Sequence, residues 1–189
     1  IAQANGGKEN TQSLIHLLVY DPWQKEYWLH LEMKGQMTLD TLDSYLRAIW
    51  LECCGHLSTF SVGRQGGDIS MDSKAEMVFK EGVVLYYTYD FGSSTELLVE
   101  TVKVRQGKPL SSRPLFLMAC NQPPRLPCQE CDKQAEWICL DCMYDEGESG
   151  LLCQEHADTH EHEDLGMMPV VNSPRAGVCG YEGPAEAPY

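Results

Sequence analysis

The stretch VVLYYTYDFGSSTELLVETVKVR, residues 83–105, decides how the first part of the chain is read. Val83–Asp90 is dense in β-branched and aromatic residues, which suit a pleated, half-buried strand. Phe91-Gly92-Ser93-Ser94 turns the chain, and Glu96–Arg105 alternates as an antiparallel partner. Working backwards, Ala75–Lys80 reads as a short turn or helical piece and Leu57–Val62 as a further strand. Between them Gly63–Lys74, rich in Gly, Asp and Ser, reads as a surface loop. Its Gly-Arg-Gln-Gly-Gly lacks the lysine and Ser/Thr of a phosphate loop, so nucleotide binding is set aside.

Upstream, Leu39, Leu42, Tyr45, Leu46, Ile49 and Trp50 recur at helical spacing, with Thr38 in the N-cap position and Gly55 as the stop. Cys53, Cys54 and His56 fall at the end of this helix. Adjacent thiols on a helix point in different directions, and buried thiols are common in cores, so the expectation is packing. Cys54 and His56 are kept as metal candidates. Leu14–Tyr20 is almost wholly apolar, as in a strand covered on both faces, and Tyr27–Met33 alternates as its return after Asp21-Pro22. His16 and His30 are expected to pack or hydrogen-bond within these strands. Residues 1–122 thus read as an α+β domain, an antiparallel sheet with one main helix.

Outward in the other direction, Leu115–Cys120 is apolar and expected to pack a C-terminal module against this domain, and Gln122-Pro123-Pro124-Arg125 is a short stiff joint. Residues 123–189 then read as a zinc-binding module with a C-terminal return segment. Cys128/Cys131 and Cys139/Cys142 are CxxC pairs, followed by Cys153/His156 and by His160 and His162. Thiolate and imidazole are the ligands of structural zinc, and a two-residue gap lets one turn bring both donors to an ion. Eight ligands in four pairs match two tetrahedral ions. Cys128, Cys131, Cys153 and His156 would hold one, and Cys139, Cys142, His160 and His162 the other. A single ion on the two CxxC pairs is the alternative. The odd number of cysteines here argues against a disulfide framework, and CxxC twice followed by CxxH is unlike a thioredoxin site. A module of this size depends on metal for its fold.

Charge divides unevenly. Residues 1–122 carry a net −3 and residues 123–189 a net −11, giving −14 for the 189-residue chain. Zinc modules that bind nucleic acid need a basic face, so a protein partner, neutral or basic, suits this one better. No run approaches the length of a membrane span, and residues 1–13 carry no apolar signal core. With zinc-type cysteine usage, this points to a reducing, cytoplasmic setting.

Two resemblances rest on these motifs. The order CxxC, CxxC, CxxH and two histidines resembles the cross-braced B-box zinc finger, with the acidic insert Tyr144–Gly150 lengthening one interval. Residues 12–122, through their strand–strand–helix–strand order and Tyr89-Asp90-Phe91-Gly92 turn, resemble the plasmid pRi open-reading-frame-three-like family, often labelled transposon-resolvase-like. That family continues with Asp-x-Trp-x-His. Here Ser93, Ser94, Thr95, Glu96 and Leu97 stand instead, leaving only Asp90 and Glu96 for any acid chemistry at the turn. The tail Asn172-Ser173-Pro174-Arg175 and Gly177-Val178-Cys179-Gly180-Tyr181 is similar to the ending of zinc-bearing members. Asn172, Ser173, Arg175 and Cys179, with Asp90, are therefore either a recognition pocket or the closure of the module on the first domain.

Three functions remain. The chain is expected to be a structural-zinc interaction or adaptor protein. The alternatives are a nucleic-acid-associated accessory protein of mobile elements, and a zinc-dependent hydrolase or nuclease with Glu155 or Glu161 as base. A hydrolase would need an open coordination position for water.

Overall fold

The computed structural model describes residues 11–161 and 165–184. Seven strands form one antiparallel sheet: β1 (Gln12–Tyr20), β2 (Trp28–Lys34), β3 (Ser58–Ser61), β4 (Asp68–Ile69), β5 (Val84–Tyr89), β6 (Thr95–Gly107) and β7 (Leu115–Cys120). Their order is β4-β3-β5-β6-β1-β2-β7, and with a few short helices the fold mixes α and β. The β5–β6 hairpin closes at the Tyr89↔Thr95 pair. Asp90 begins its turn in the left-handed region, φ 64°, and its Oδ1 accepts the Gly92 N–H at 2.9 Å. A short polar side chain that bonds its own turn tolerates this backbone.

Helix α1 (Leu39–Leu46) lies on one face of the sheet, and the one-turn helix α2 (Ala75–Val78) precedes β5. Thr38 sits at the N-cap but makes no side-chain cap. The Leu39 and Asp40 N–H groups donate instead to the Ser73 and Met71 carbonyls, 3.0 Å each, so the loop satisfies the first turn. At Arg47–Leu51 the helix widens into a π turn, in which the Glu52 N–H reaches back to the Arg47 carbonyl at 2.9 Å. The widening answers a packing demand. Ile49, Trp50 and Leu51 are consecutive and all buried, which one face of a regular α-helix does not accommodate. Arg47 braces the turn through Asp43, Glu52, the His56 carbonyl and Ser58.

The helix ends there. Glu52 is already extended, so Cys53 and Cys54 lie in a loop and not on a helix. This corrects the placement of both on the helix; the expected core packing holds for Cys53, which lies against the core, and not for Cys54. Cys53 is only half-buried and Cys54 is exposed. Ile15, Leu17, Val19, Leu29 and Leu31 pack under the helix with Trp50, Tyr87 and Tyr89, each fully buried aliphatic chain worth about 1.5–3 kcal/mol.

The expectation that β1 is covered on both faces does not hold. His16, Leu18 and Tyr20 lie on the other face and are half-buried by neighbours within the sheet. There His16 Nε2 meets His30 Nδ1 at 2.8 Å, and Glu32 stands opposite His16 across the strands. Burial first, then the His30 ring, lowers the His16 pKa, and Glu32 acts against them. A depressed imidazole is neutral in the fold but takes a proton once unfolded near pH 6.5, so stability falls as pH drops below about 6.5. His16→Gln is expected to flatten that part of the stability–pH curve measured by urea denaturation. An unchanged slope between pH 6.5 and 5 would refute it.

Leu115–Cys120 is likewise placed differently from expectation. It forms edge strand β7 beside β2, with Phe116 and Met118 exposed and Leu115, Leu117 and Cys120 packed against the sheet's own core. The chain continues through Asn121, whose side chain accepts the Trp28 N–H and donates to Asn172 Oδ1 at 2.8 Å. Beyond it, β8 (Trp137–Cys139) is flanked by β9 (Leu151–Leu152) and β10 (Met167–Pro169), with the short helix α3 (Gln154–Ala157) alongside. No helix among the described residues is long and apolar enough to cross a membrane.

Candidate metal centres

The three-stranded sheet exists to place sulfur. Trp137 pairs with Leu152 and Ile138 with Leu151, so Cys139 at the end of β8 and Cys153 just after β9 emerge at fixed positions. Leu152 is buried among these sulfurs, while Ile138 is buried beside Gly177. Gly150, just before β9, lies at φ 65° with its backbone against Cys139. A Cβ there would come within 2.4 Å of the Cys139 carbonyl, so only glycine permits the approach.

Cys128, Cys131, Cys153 and His156 converge, their ligand atoms all within 4.8 Å of one another. His156, on α3, presents Nδ1 at 3.3 Å from Cys128 Sγ, 3.6 Å from Cys131 Sγ and 3.4 Å from Cys153 Sγ. The Cys131 and Cys153 sulfurs are 3.9 Å apart. The Glu130 N–H turns back onto Cys128 Sγ at 3.4 Å, as a tight turn after the first ligand of a CxxC pair allows. Burial pushes the Cys128 thiol up, yet backbone N–H groups of Cys153 and Glu130 and the His156 ring outweigh it and bring it down to about 6. The thiolate, the ligand form, is thereby favoured near neutrality.

A second group gathers Cys139, Cys142 and His160, with Cys142 Sγ 3.2 Å from His160 Nε2. Cys142 opens a π turn (Cys142–Glu146), where burial and the neighbouring Cys139 push its thiol up to about 12. Glu146 and Glu148 also reach Cys142 from the exposed insert. His162 lies outside the described residues. The sulfurs of the two CxxC pairs fall into different groups, which removes the arrangement of one ion on Cys128, Cys131, Cys139 and Cys142. Both groups can hold a metal ion.

The proposed recognition residues separate. Ser173 is 1% exposed and its hydroxyl donates to the Trp50 carbonyl at 2.7 Å, closing the end of the first helix. Arg175 is 0% exposed. Its guanidinium donates to Asp90 Oδ2 at 2.7 Å, Thr95 Oγ1 at 3.0 Å and the Ser93 carbonyl at 3.1 Å. Arg175 and Arg47 each place their guanidinium carbon 4.8 Å from the centre of the Tyr89 ring. A guanidinium with no surface and its acceptors within the fold cannot read a partner, so Ser173, Arg175 and Asp90 are interior fastenings, not a pocket. Asn172 is half-buried and bonded to Asn121.

Cys179 is exposed and stands in a third cluster, with Cys53, Cys54 and His56. Sequence reasoning misses the Cys53 contribution because it puts the thiols on a helix. The available signal is the surplus: with the module's five cysteines assigned, Cys53, Cys54, Cys120 and Cys179 remain.

No family model and no curated protein matches this chain. Among solved structures, a Methanosarcina mazei Go1 protein of unknown function is similar to it at 19% identity and TM-score 0.48, over 58% of this chain and 69% of that one.

Proposed function

We propose that this chain is a zinc-binding interaction protein. The ions in its C-terminal module are structural, and the acidic surface they brace engages a neutral or basic protein. One observation carries the reading: Cys128, Cys131, Cys153 and His156 supply four donors around a single point, two of them buried and two half-buried. Four protein donors fill the tetrahedron zinc adopts, whereas catalytic zinc keeps one position for water. The net −11 of residues 123–189 disfavours phosphate backbones as the target.

Cobalt substitution tests the closed geometry. The Co²⁺ bands that disappear in His156→Ala report on this group, and in the unaltered protein they are expected not to move on adding azide, because no position is open. An azide-dependent shift of those bands would favour the hydrolase reading. A photo-crosslinking residue at Glu130, exposed on the module, is expected to yield adducts resistant to nuclease. Nuclease-sensitive adducts would favour the accessory role at mobile elements.

A further inference from the structure

We propose that Cys53, Cys54, His56 and Cys179 form a third metal site, for a thiophilic divalent cation of the zinc class, that clasps the C-terminal return segment to the end of the first helix. Their four ligand atoms lie within 4.8 Å of one another. The Cys53–Cys54 and Cys54–Cys179 sulfur separations are both 3.8 Å. His56 Nε2 stands 3.0 Å from Cys54 Sγ and 3.3 Å from Cys179 Sγ. With metal–sulfur bonds of about 2.3 Å, the edge of a tetrahedral site is about 3.8 Å, so both sulfur pairs that include Cys54 already stand at that spacing. A disulfide requires about 2.05 Å, and these cysteines are free.

The backbone is shaped for this convergence. After the helix stops at Leu51, Gly55 at φ 79° reverses the chain, its N–H held by the Glu52 carboxylate at 2.5 Å. That reversal returns His56 to the side of Cys54. From the far end of the sequence, Cys179 arrives in the left-handed region at φ 51°, between Gly177 and Gly180. Among the described residues only Asp90 and Cys179 adopt positive φ without being glycine, and both border this point, Asp90 Oδ2 lying 3.5 Å from His56 Nε2. Such backbone at a cysteine persists where surrounding structure over-determines it.

Charge fits as well. Three thiolates and an imidazole on a divalent ion leave a net single negative charge. The buried Arg175 guanidinium donates to Cys53 Sγ at 3.5 Å and can balance it. Thiols are poor donors and poor acceptors, so three of them gain little by meeting one another without an ion. Cys54 and Cys179 face solvent, unlike the buried module ligands Cys128, Cys139, Cys142 and Cys153, so this ion exchanges first.

Zinc per chain, measured by elemental analysis of the full chain purified anaerobically, tests the site. Cys179→Ser and Cys54→Ser are each expected to lose one equivalent, while His156→Ala loses a different one and keeps this. In Cys179→Ser, amides of residues 173–181 are expected to exchange at least tenfold faster. Cobalt added to the metal-free variants should show weaker thiolate-to-cobalt absorption than the unaltered protein. Zinc content unchanged in either cysteine variant overturns the third site, as does a native Cys54–Cys179 disulfide. Neither outcome touches the module, where loss with His156→Ala is read separately.

Discussion

Removing metal from the intact protein with a strong chelator is expected to unfold residues 126–170 while the seven-stranded sheet stays folded. Ile138, Leu152 and Met168 are the main buried apolar chains of the module besides its cysteines. At about 1.5–3 kcal/mol each they fall far short of an ordering cost near 1–2 kcal/mol for every residue. Structural zinc in small modules contributes on the order of 10 kcal/mol, enough to reverse the balance. The sheet, by contrast, has its own core of more than twenty buried side chains around Trp50 and Tyr87. Hydrogen exchange read by mass spectrometry would show amides of Trp137–Cys139 and Leu151–Leu152 losing protection, with β1, β5 and β6 unchanged. Protection of β8 surviving in demonstrably metal-free protein would sink the prediction.

Arg175→Met is expected to destabilise the protein by about 3 kcal/mol, the scale for removing one partner of a buried ion pair. For a chain of this length that lowers the melting temperature by roughly 6–12 °C. The loss spreads over several elements. Arg175 ties the β5–β6 turn through Asp90, Ser93 and Thr95, touches Cys53 and stacks on Tyr89. Chiefly through Arg175, and then through the Gly92 and Ser93 amides, the Asp90 carboxyl is held down to about 2. Without the guanidinium that carboxylate loses its nearest charged donor, at 2.7 Å, and keeps only the turn amides and His56 Nε2 at 3.5 Å. Asp90→Asn in the Arg175→Met background should therefore recover part of the loss, since a neutral amide is easier to leave beside Thr95. Equal stability of Arg175→Met and the unaltered protein, within about 0.5 kcal/mol, would remove Arg175 from its structural role.

Much of the fold is legible locally. The apolar run at 14–20, the β-branched and aromatic run at 83–90, and the alternation in 27–33 and 96–105 identify β1, β5, β2 and β6. The apolar spacing from Leu39 likewise marks the helix. Its ending is not legible. Ile49 and Trp50 continue a helical apolar face on paper, and only the burial of Leu51 beside them reveals the π turn. The two-residue strand β4 has too little length for any period to show. Arg175 sits in a Pro- and Gly-rich segment, where the sequence leaves both a recognition pocket and a closure of the module open. Its acceptors stand 80 to 85 residues earlier, beyond any local pattern. The same holds for Cys179, which lies 125 residues from Cys54.

The segment from Ser173 to Tyr181 gives the molecule a particular history during synthesis. Trp50, Asp90 and Thr95 leave the ribosome long before Ser173 and Arg175 exist to meet them. At about 5–20 residues per second the sheet waits several seconds with its helix end uncapped and its turn carboxylate unpaired. A chain cut short before Arg175 keeps that defect permanently. Such products are expected to be cleared by proteases faster than chains that carry Ser173 and Arg175, so the fold distinguishes chains that have reached this segment from those that have not.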